Sequence, residues 1–213
     1  MIRILTSLAL LAAAIAPASA QFSAEGPMVD ATLVADKRAV APGETVYVAL
    51  HQDITEGWHT YWRNPGDSGE PTRVTLDLPE GWSAAEIIWP APNAYPIGPL
   101  TNYGYSNAVT LPAPVMVPAE AAPGRVDIPA EATWLVCEDI CIPEQASLTI
   151  TLEVGETRQD RRGARLIQAA LDAAPAPAPA DLEAGVSAQS GDLAFTFSGE
   201  TLNAVAGDLT LFP

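Results

Sequence analysis

The chain has 213 residues, including 20 prolines and 15 glycines, with 48% hydrophobic content and a formal charge of −16 from 10 basic and 26 acidic side chains. An acidic field of this size makes nucleic acid and anionic membrane surfaces poor partners. The hydrophobic share supports a packed core and argues against disorder, and the proline and glycine content favours a loop-rich, β-rich chain.

In chain order, Arg3, the apolar residues 4–15 and the small-residue triplet Ala18-Ser19-Ala20 have the three parts of a secretory signal peptide over residues 1–20. Loss of Arg3 with that leader takes the formal charge from −16 to −17. The apolar stretch is too short and too alanine-rich for a membrane span, and no later stretch approaches the ~20 apolar residues a span needs. No cysteine follows the cleavage site, so Gln21 is the expected amino terminus rather than a lipid anchor. Export places the chain in an oxidising compartment, most simply a bacterial periplasm.

Residues 21–156 read as one all-β, immunoglobulin-like antiparallel sandwich. Val46, Val48 and Leu50 share a strand face, as do Val74, Leu76 and Leu78, and Leu148, Ile150, Leu152 and Val154 alternate with polar residues. Ala41-Pro42-Gly43, Asn64-Pro65-Gly66-Asp67, Pro79-Glu80-Gly81 and Pro123-Gly124 supply turns at sandwich spacing. Over residues 157–173, Ala164, Ile167, Ala170 and Leu171 recur at helical spacing without an internal proline. The Ala-Pro run of residues 174–180 ends that helix as a semi-rigid linker, so 157–180 is the connecting segment. Residues 181–213 read as the start of a second β domain, too short to bury a core of its own, and the chain is expected to be the front part of a longer protein.

The glycines of "GDSGEP" and "NYGYSN" lack the strand-to-helix setting of a phosphate-binding loop. Only His51 and His59 could serve as imidazole bases, and no serine stands in a triad-like context. The chemistry therefore falls to the two cysteines of the chain, Cys137 and Cys141. Four steps along a strand span roughly 13 Å, so residues 138–140 must turn if the sulfurs are to join. Such a bond would be a weak staple, worth about 2 kcal/mol on chain-entropy grounds. A sandwich of this length does not need one, which favours function over stapling. A metal clip is the third possibility: the spacing is unlike a zinc knuckle, but two thiolates could hold Cu(I). Glu138, Asp139 and Glu144 crowd the pair in sequence, and negative neighbours disfavour a thiolate, so a guarded pair that exchanges mainly with a docked partner is expected.

"GWHTYWRNPGDSGEPTRV" (57–74), "WPAPNAYPIGPLTNYGYSNAVTLPAPV" (89–115) and "WLVCEDICIPEQA" (134–146) together resemble the amino-terminal periplasmic domain of the thiol:disulfide interchange protein DsbD family, in particular its ScsB-like branch. The resemblance covers roughly residues 25–175. It implies an immunoglobulin-like module without a bound cofactor. A membrane-embedded electron-transfer domain and a thioredoxin-like domain, expected in the same full-length protein, would reduce it, and it would in turn reduce periplasmic thioredoxin-fold proteins. Cys137 and Cys141 match the redox pair, with Cys141 as the exchanging and Cys137 as the resolving sulfur. Asn102-Tyr103-Gly104 resembles the relatives' cap loop, with Asn where they carry Phe, and Tyr105 is the expected replacement shield. Trp134 completes the expected cap and partner-contact set. The better-studied branch places five residues between its cysteines where this chain has three. A copper-binding or copper-tolerance module using the same thiols is the alternative reading.

Overall fold

The computed structural model of the chain describes residues 26–189 and 191–204. The expected leader over 1–20 and the end of the expected second β domain lie outside the described residues.

Two sheets form the body of the fold. The first has the order β1 (Val29–Ala35), β3 (Thr45–Ile54), β9 (Ala108–Met116) and β6 (Ser83–Ala84); the second has β12 (Arg158–Gln159), β2 (Lys37–Val40), β11 (Cys141–Val154), β10 (Gly124–Cys137) and β5 (Arg73–Leu76). The alternation read in the sequence sets their inner faces. Val46, Val48, Leu50, Leu111 and Val115 of the first sheet meet Ile128, Ala132, Trp134, Val136 and Leu152 of the second in two adjoining core clusters. The result is the expected all-β, immunoglobulin-like sandwich. Burying one such side chain is worth about 1.5–3 kcal/mol, so a single core residue stabilises the sandwich as much as the small disulfide ring does.

Along β10 and β11 the pairing is continuous and antiparallel, from Gly124↔Val154 to Cys137↔Cys141, so the cysteines occupy the closed end of a long hairpin. The chain leaves the first sheet after β1 and joins the second as β2. Asp36 lies at this crossing, where its carboxylate accepts from the backbone N–H of Tyr47 at 2.8 Å. β2 pairs with β11 only at Glu153 and Val154.

A third sheet, β4 (Thr60–Gly66), β8 (Leu100–Tyr105) and β7 (Asn93–Ile97), includes most of the expected cap segment. The turn expected at Asn64-Pro65-Gly66-Asp67 falls at the end of β4, where Gly66 has φ +85°, its N–H donates to Asn64 Oδ1 at 3.2 Å, and the register to β8 shifts.

The helix α1 (Arg161–Asp172) starts four residues later than its periodicity predicts. Arg158 and Gln159 add to β2 as β12, and Asp160 caps the helix by accepting from Gly163 N–H at 2.7 Å. Ile167 packs with Val34 and Ala49, covering the outer face of the first sheet. Past the Ala-Pro run, β13 (Glu183–Gln189) and β14 (Asp192–Ser198) form a two-stranded hairpin, followed by the short helix α2 (Glu200–Ala204). Among the described residues, no helix is long and apolar enough to cross a membrane.

Candidate functional site

Cys137 closes β10, Cys141 opens β11, and the two are joined as a disulfide with their Cα atoms 4.1 Å apart. Residues 138–140 make the turn that the sequence required, with Glu138 N–H donating to the Ile140 carbonyl at 3.1 Å. The two sulfurs sit in different surroundings. Cys137 is 1% exposed, while Cys141 lies on the surface beside Ile140, which is 65% exposed at the turn tip.

Cys137 is buried because the segment leading into β4 lies against it. His59 N–H donates to the Cys137 carbonyl at 2.9 Å and Cys137 N–H donates to the His59 carbonyl at 3.0 Å, an antiparallel bridge at the tip of the hairpin. Two residues on, and so on the same strand face, Tyr61 directs its hydroxyl to the Cys137 Sγ at 2.9 Å, with the Cys141 Sγ at 3.7 Å. Burial pushes the Tyr61 phenol up from its ordinary value, so it holds its proton and acts as a donor. The position of its ring depends on Gly69, at φ +98°, where a Cβ would fall 2.3 Å from Tyr61 Cε1.

The aromatic stack continues outward. The His59 ring lies edge-on to Tyr61 at 5.2 Å and flat against Tyr95 of β7 at 4.7 Å. Burial lowers the His59 pKa, and its Nε2 has no hydrogen-bond partner among the described residues. The β7–β8 hairpin is thereby coupled to the cysteines from one side through Tyr95. From the other side, Asn102 Nδ2 donates to the Tyr61 hydroxyl at 3.5 Å, while Asn102 Oδ1 accepts from Ser68 N–H at 3.1 Å and Ser68 Oγ at 2.9 Å.

The residues singled out in the sequence fall into distinct places. Asn102 is buried within the hydrogen-bond network of the sulfurs. Gly104 lies against β4 so closely that a Cβ would fall 1.9 Å from the Thr60 carbonyl oxygen, which only glycine permits. Tyr103 is half-buried and packs on the core. Tyr105 is a core residue whose hydroxyl donates to the Pro90 carbonyl at 2.8 Å, and burial drives its phenol far up. Trp134 faces the core between the sheets; its Nε1 donates to Glu144 Oε2 at 3.0 Å, and Glu144 Oε1 accepts from Met28 N–H at 2.6 Å. Glu144, read as a charge crowding the thiols, therefore ties the amino-terminal segment to the hairpin. The side chain against the sulfur is Tyr61.

Nothing in the sequence marks Tyr61, His59 and Tyr95 as neighbours of the sulfurs. Aromatics in a strand usually belong to a core, and Tyr61 lies 76 residues from Cys137. The available signal was period two: His59 and Tyr61 share one face of a strand that must pass somewhere near the hairpin tip. No group of three His, Cys, Asp or Glu side chains able to hold a metal is found among the described residues.

The fold is similar to that of a solved structure. In the crystal structure of the N-terminal periplasmic domain of ScsB from Proteus mirabilis, the matching region has a TM-score of 0.59 at 20% identity, covering 78% of this chain and 63% of that one. The chain thus spans somewhat less than two thirds of the ScsB structure. The reduced form of the Neisseria meningitidis DsbD n-terminal domain matches at 11% identity and a TM-score of 0.35, covering 63% of this chain and 91% of that one. No curated protein sequence matches the chain. Residues 30–153 match the family model for the N-terminal domain of the thiol:disulfide interchange protein DsbD, and with that match covering more than half of its length, the chain belongs to the DsbD N-terminal domain family.

Proposed function

We propose that the chain is a periplasmic thiol-disulfide exchange module, a thiol:disulfide oxidoreductase of the protein-disulfide reductase type. In this reading it receives reducing equivalents from a membrane-embedded electron-transfer domain and a thioredoxin-like domain of the same full-length protein, and passes them to periplasmic thioredoxin-fold proteins. The observation that carries the reading is the asymmetry of the pair: Cys137 is buried with its sulfur under a tyrosine hydroxyl, and Cys141 lies at the surface. A structural bridge has no need of such a difference.

The asymmetry supports Cys141 as the exchanging and Cys137 as the resolving sulfur. In the reduced domain the Cys141 thiolate attacks one sulfur of the partner's disulfide, and the partner's other sulfur leaves as a thiolate. The Cys137 thiolate then attacks the Cys141 Sγ, restoring the internal disulfide and releasing the partner's second sulfur as a thiolate. Two electrons pass to the partner, whose thiolates take up two protons to replace those lost by Cys137 and Cys141. The Tyr61 hydroxyl stabilises the Cys137 thiolate before its attack, because a hydrogen bond donated to the charged form favours that form. The contacts of Tyr95 with His59 and of Asn102 with Tyr61 support reading the β7–β8 hairpin as a cap that partner docking moves.

The copper reading uses the same two sulfurs and finds no third ligand beside them among the described residues; stoichiometric Cu(I) uptake by the reduced chain would revive it. The test of the exchange reading is thiol counting. Reduced chain mixed with an oxidised periplasmic thioredoxin-fold protein should lose two thiols as the partner gains two. Absence of transfer to every such protein tried would overturn it.

A further inference from the structure

The structure carries a second feature at Cys141, a groove of about 890 Å³ walled on one side by residues 26–31 and on the other by residues 140–146. Among the described residues, its β11 wall is an unpaired strand edge. β11 bonds to β10 along its whole length, but on its other side it pairs with β2 only at Glu153 and Val154. The direction of its backbone groups follows from the tip. Cys137 exchanges both of its backbone hydrogen bonds with His59, so Cys137 and Cys141 are a pair that does not bond across the hairpin. Antiparallel pairs alternate. The backbone groups of Ile142 and Glu144 therefore point to β10, and those of Cys141, Pro143 and Gln145 point out toward the groove. Pro143 fits this order, since its missing N–H falls at a position where β10 requires none.

We propose that the open edge of β11 from Cys141 to Gln145 is a strand-addition site for the extended segment flanking the partner's reactive cysteine; this deepens the exchange reading and rests on it. The incoming segment continues the row that β2 begins, and its cysteine arrives beside the Cys141 Sγ. An unpaired strand edge supplies main-chain donors and acceptors independent of side-chain identity, which suits a module that serves several partners. The walls set the chemistry of the occupant. Met28, Ile140 and Ile142 offer apolar contacts, Asp30 and Glu144 are acidic, and among the described residues no lysine or arginine lines the groove. The segment is accordingly extended, apolar and basic, without acidic residues.

The test uses the reduced chain and short synthetic Lys-Val-Cys-Val-Lys peptides whose cysteine carries thionitrobenzoate, so that exchange is read by absorbance. The unmodified peptide should exchange about tenfold or more faster than the same peptide with its backbone N-methylated throughout, the effect of losing one or two main-chain hydrogen bonds. A Glu-Val-Cys-Val-Glu version should also be slower. Gln145→Pro, which removes one outward N–H at a position that does not bond to β10, should bring the unmodified peptide close to the methylated one. Equal rates for methylated and unmethylated peptides on the unaltered chain would overturn strand addition while leaving thiol exchange in place. Failure of both peptides while the small disulfide dithiobis(nitrobenzoate) still reacts would overturn it as well, and failure of all three would overturn the exchange reading itself.

Discussion

Replacing Tyr61 by phenylalanine removes one hydroxyl and retains the ring that fills the space beside Gly69. In the oxidised chain that hydroxyl donates to a neutral sulfur at 2.9 Å. In the reduced chain at alkaline pH it donates to a thiolate. Hydrogen bonds to charged groups are worth about 1.5–3 kcal/mol and neutral ones about 0.5–1.5 kcal/mol. The hydroxyl thus stabilises the reduced form by a net of about 1–1.5 kcal/mol. For a two-electron couple about 30 mV corresponds to 1.4 kcal/mol, so Tyr61→Phe should make the reduction potential more negative by about 20–30 mV. The assay is equilibration in dithiol redox buffers near pH 10, well above the ordinary thiol value of about 8.5, because burial and negative neighbours disfavour the thiolate, with the reduced fraction read by alkylation and mass. A potential that stays within a few millivolts, or moves in the positive direction, would refute the role given to Tyr61.

Reducing the disulfide should leave the sandwich folded. Its small ring contributes about 2 kcal/mol, so calorimetry with and without reductant should show the melting temperature falling by roughly 4–8 °C at the scaling for a chain of this length. Gly104→Ala forces a Cβ against the Thr60 carbonyl and should cost about 1–3 kcal/mol by denaturant unfolding, as overpacking does, while loosening the β8 register. His59 has a lowered pKa in the folded state because of burial. Above about pH 7 both folded and unfolded forms are neutral. As pH falls through the unfolded value of about 6.5, the unfolded chain takes up a proton that the buried ring resists, and stability declines. Urea unfolding from pH 7.5 to 5.5 should show this loss, and His59→Gln should flatten it.

The sandwich was legible because its strands keep period two where they are half-buried: the Leu148, Ile150, Leu152 and Val154 face points inward while Thr149, Thr151 and Glu153 face solvent. The helix was legible from Ile167 and Ala170, but its start was not, because Arg158 and Gln159 find backbone partners on β2 that no local propensity announces. At the site, strand geometry required a turn over residues 138–140 on the condition that the sulfurs join, and they do. The residue touching the sulfur did not follow from strand geometry. Tyr61 is brought to Cys137 by the long-range bridge between His59 and the hairpin tip, and a strand aromatic carries no sequence mark that separates a core position from a sulfur contact. Trp134 and Tyr105 show the same ambiguity in reverse: residues from motifs that resemble the family's site segments are held in the core, by Glu144 and Pro90 respectively. The acidic residues around the pair were read as one cluster, yet Glu144 is engaged by the Trp134 indole and the Met28 amide, so Glu138 and Asp139 carry the exposed charge at the turn.

The most direct measurement is covalent capture with the two single-cysteine variants in periplasmic extract, each adduct identified by mass. Cys137→Ser leaves Cys141 without its resolving sulfur and should accumulate a mixed disulfide with a thioredoxin-fold protein. Cys141→Ser retains only the buried sulfur and should accumulate little or none. Adducts through Cys137 in preference to Cys141, or none through either, would contradict the account.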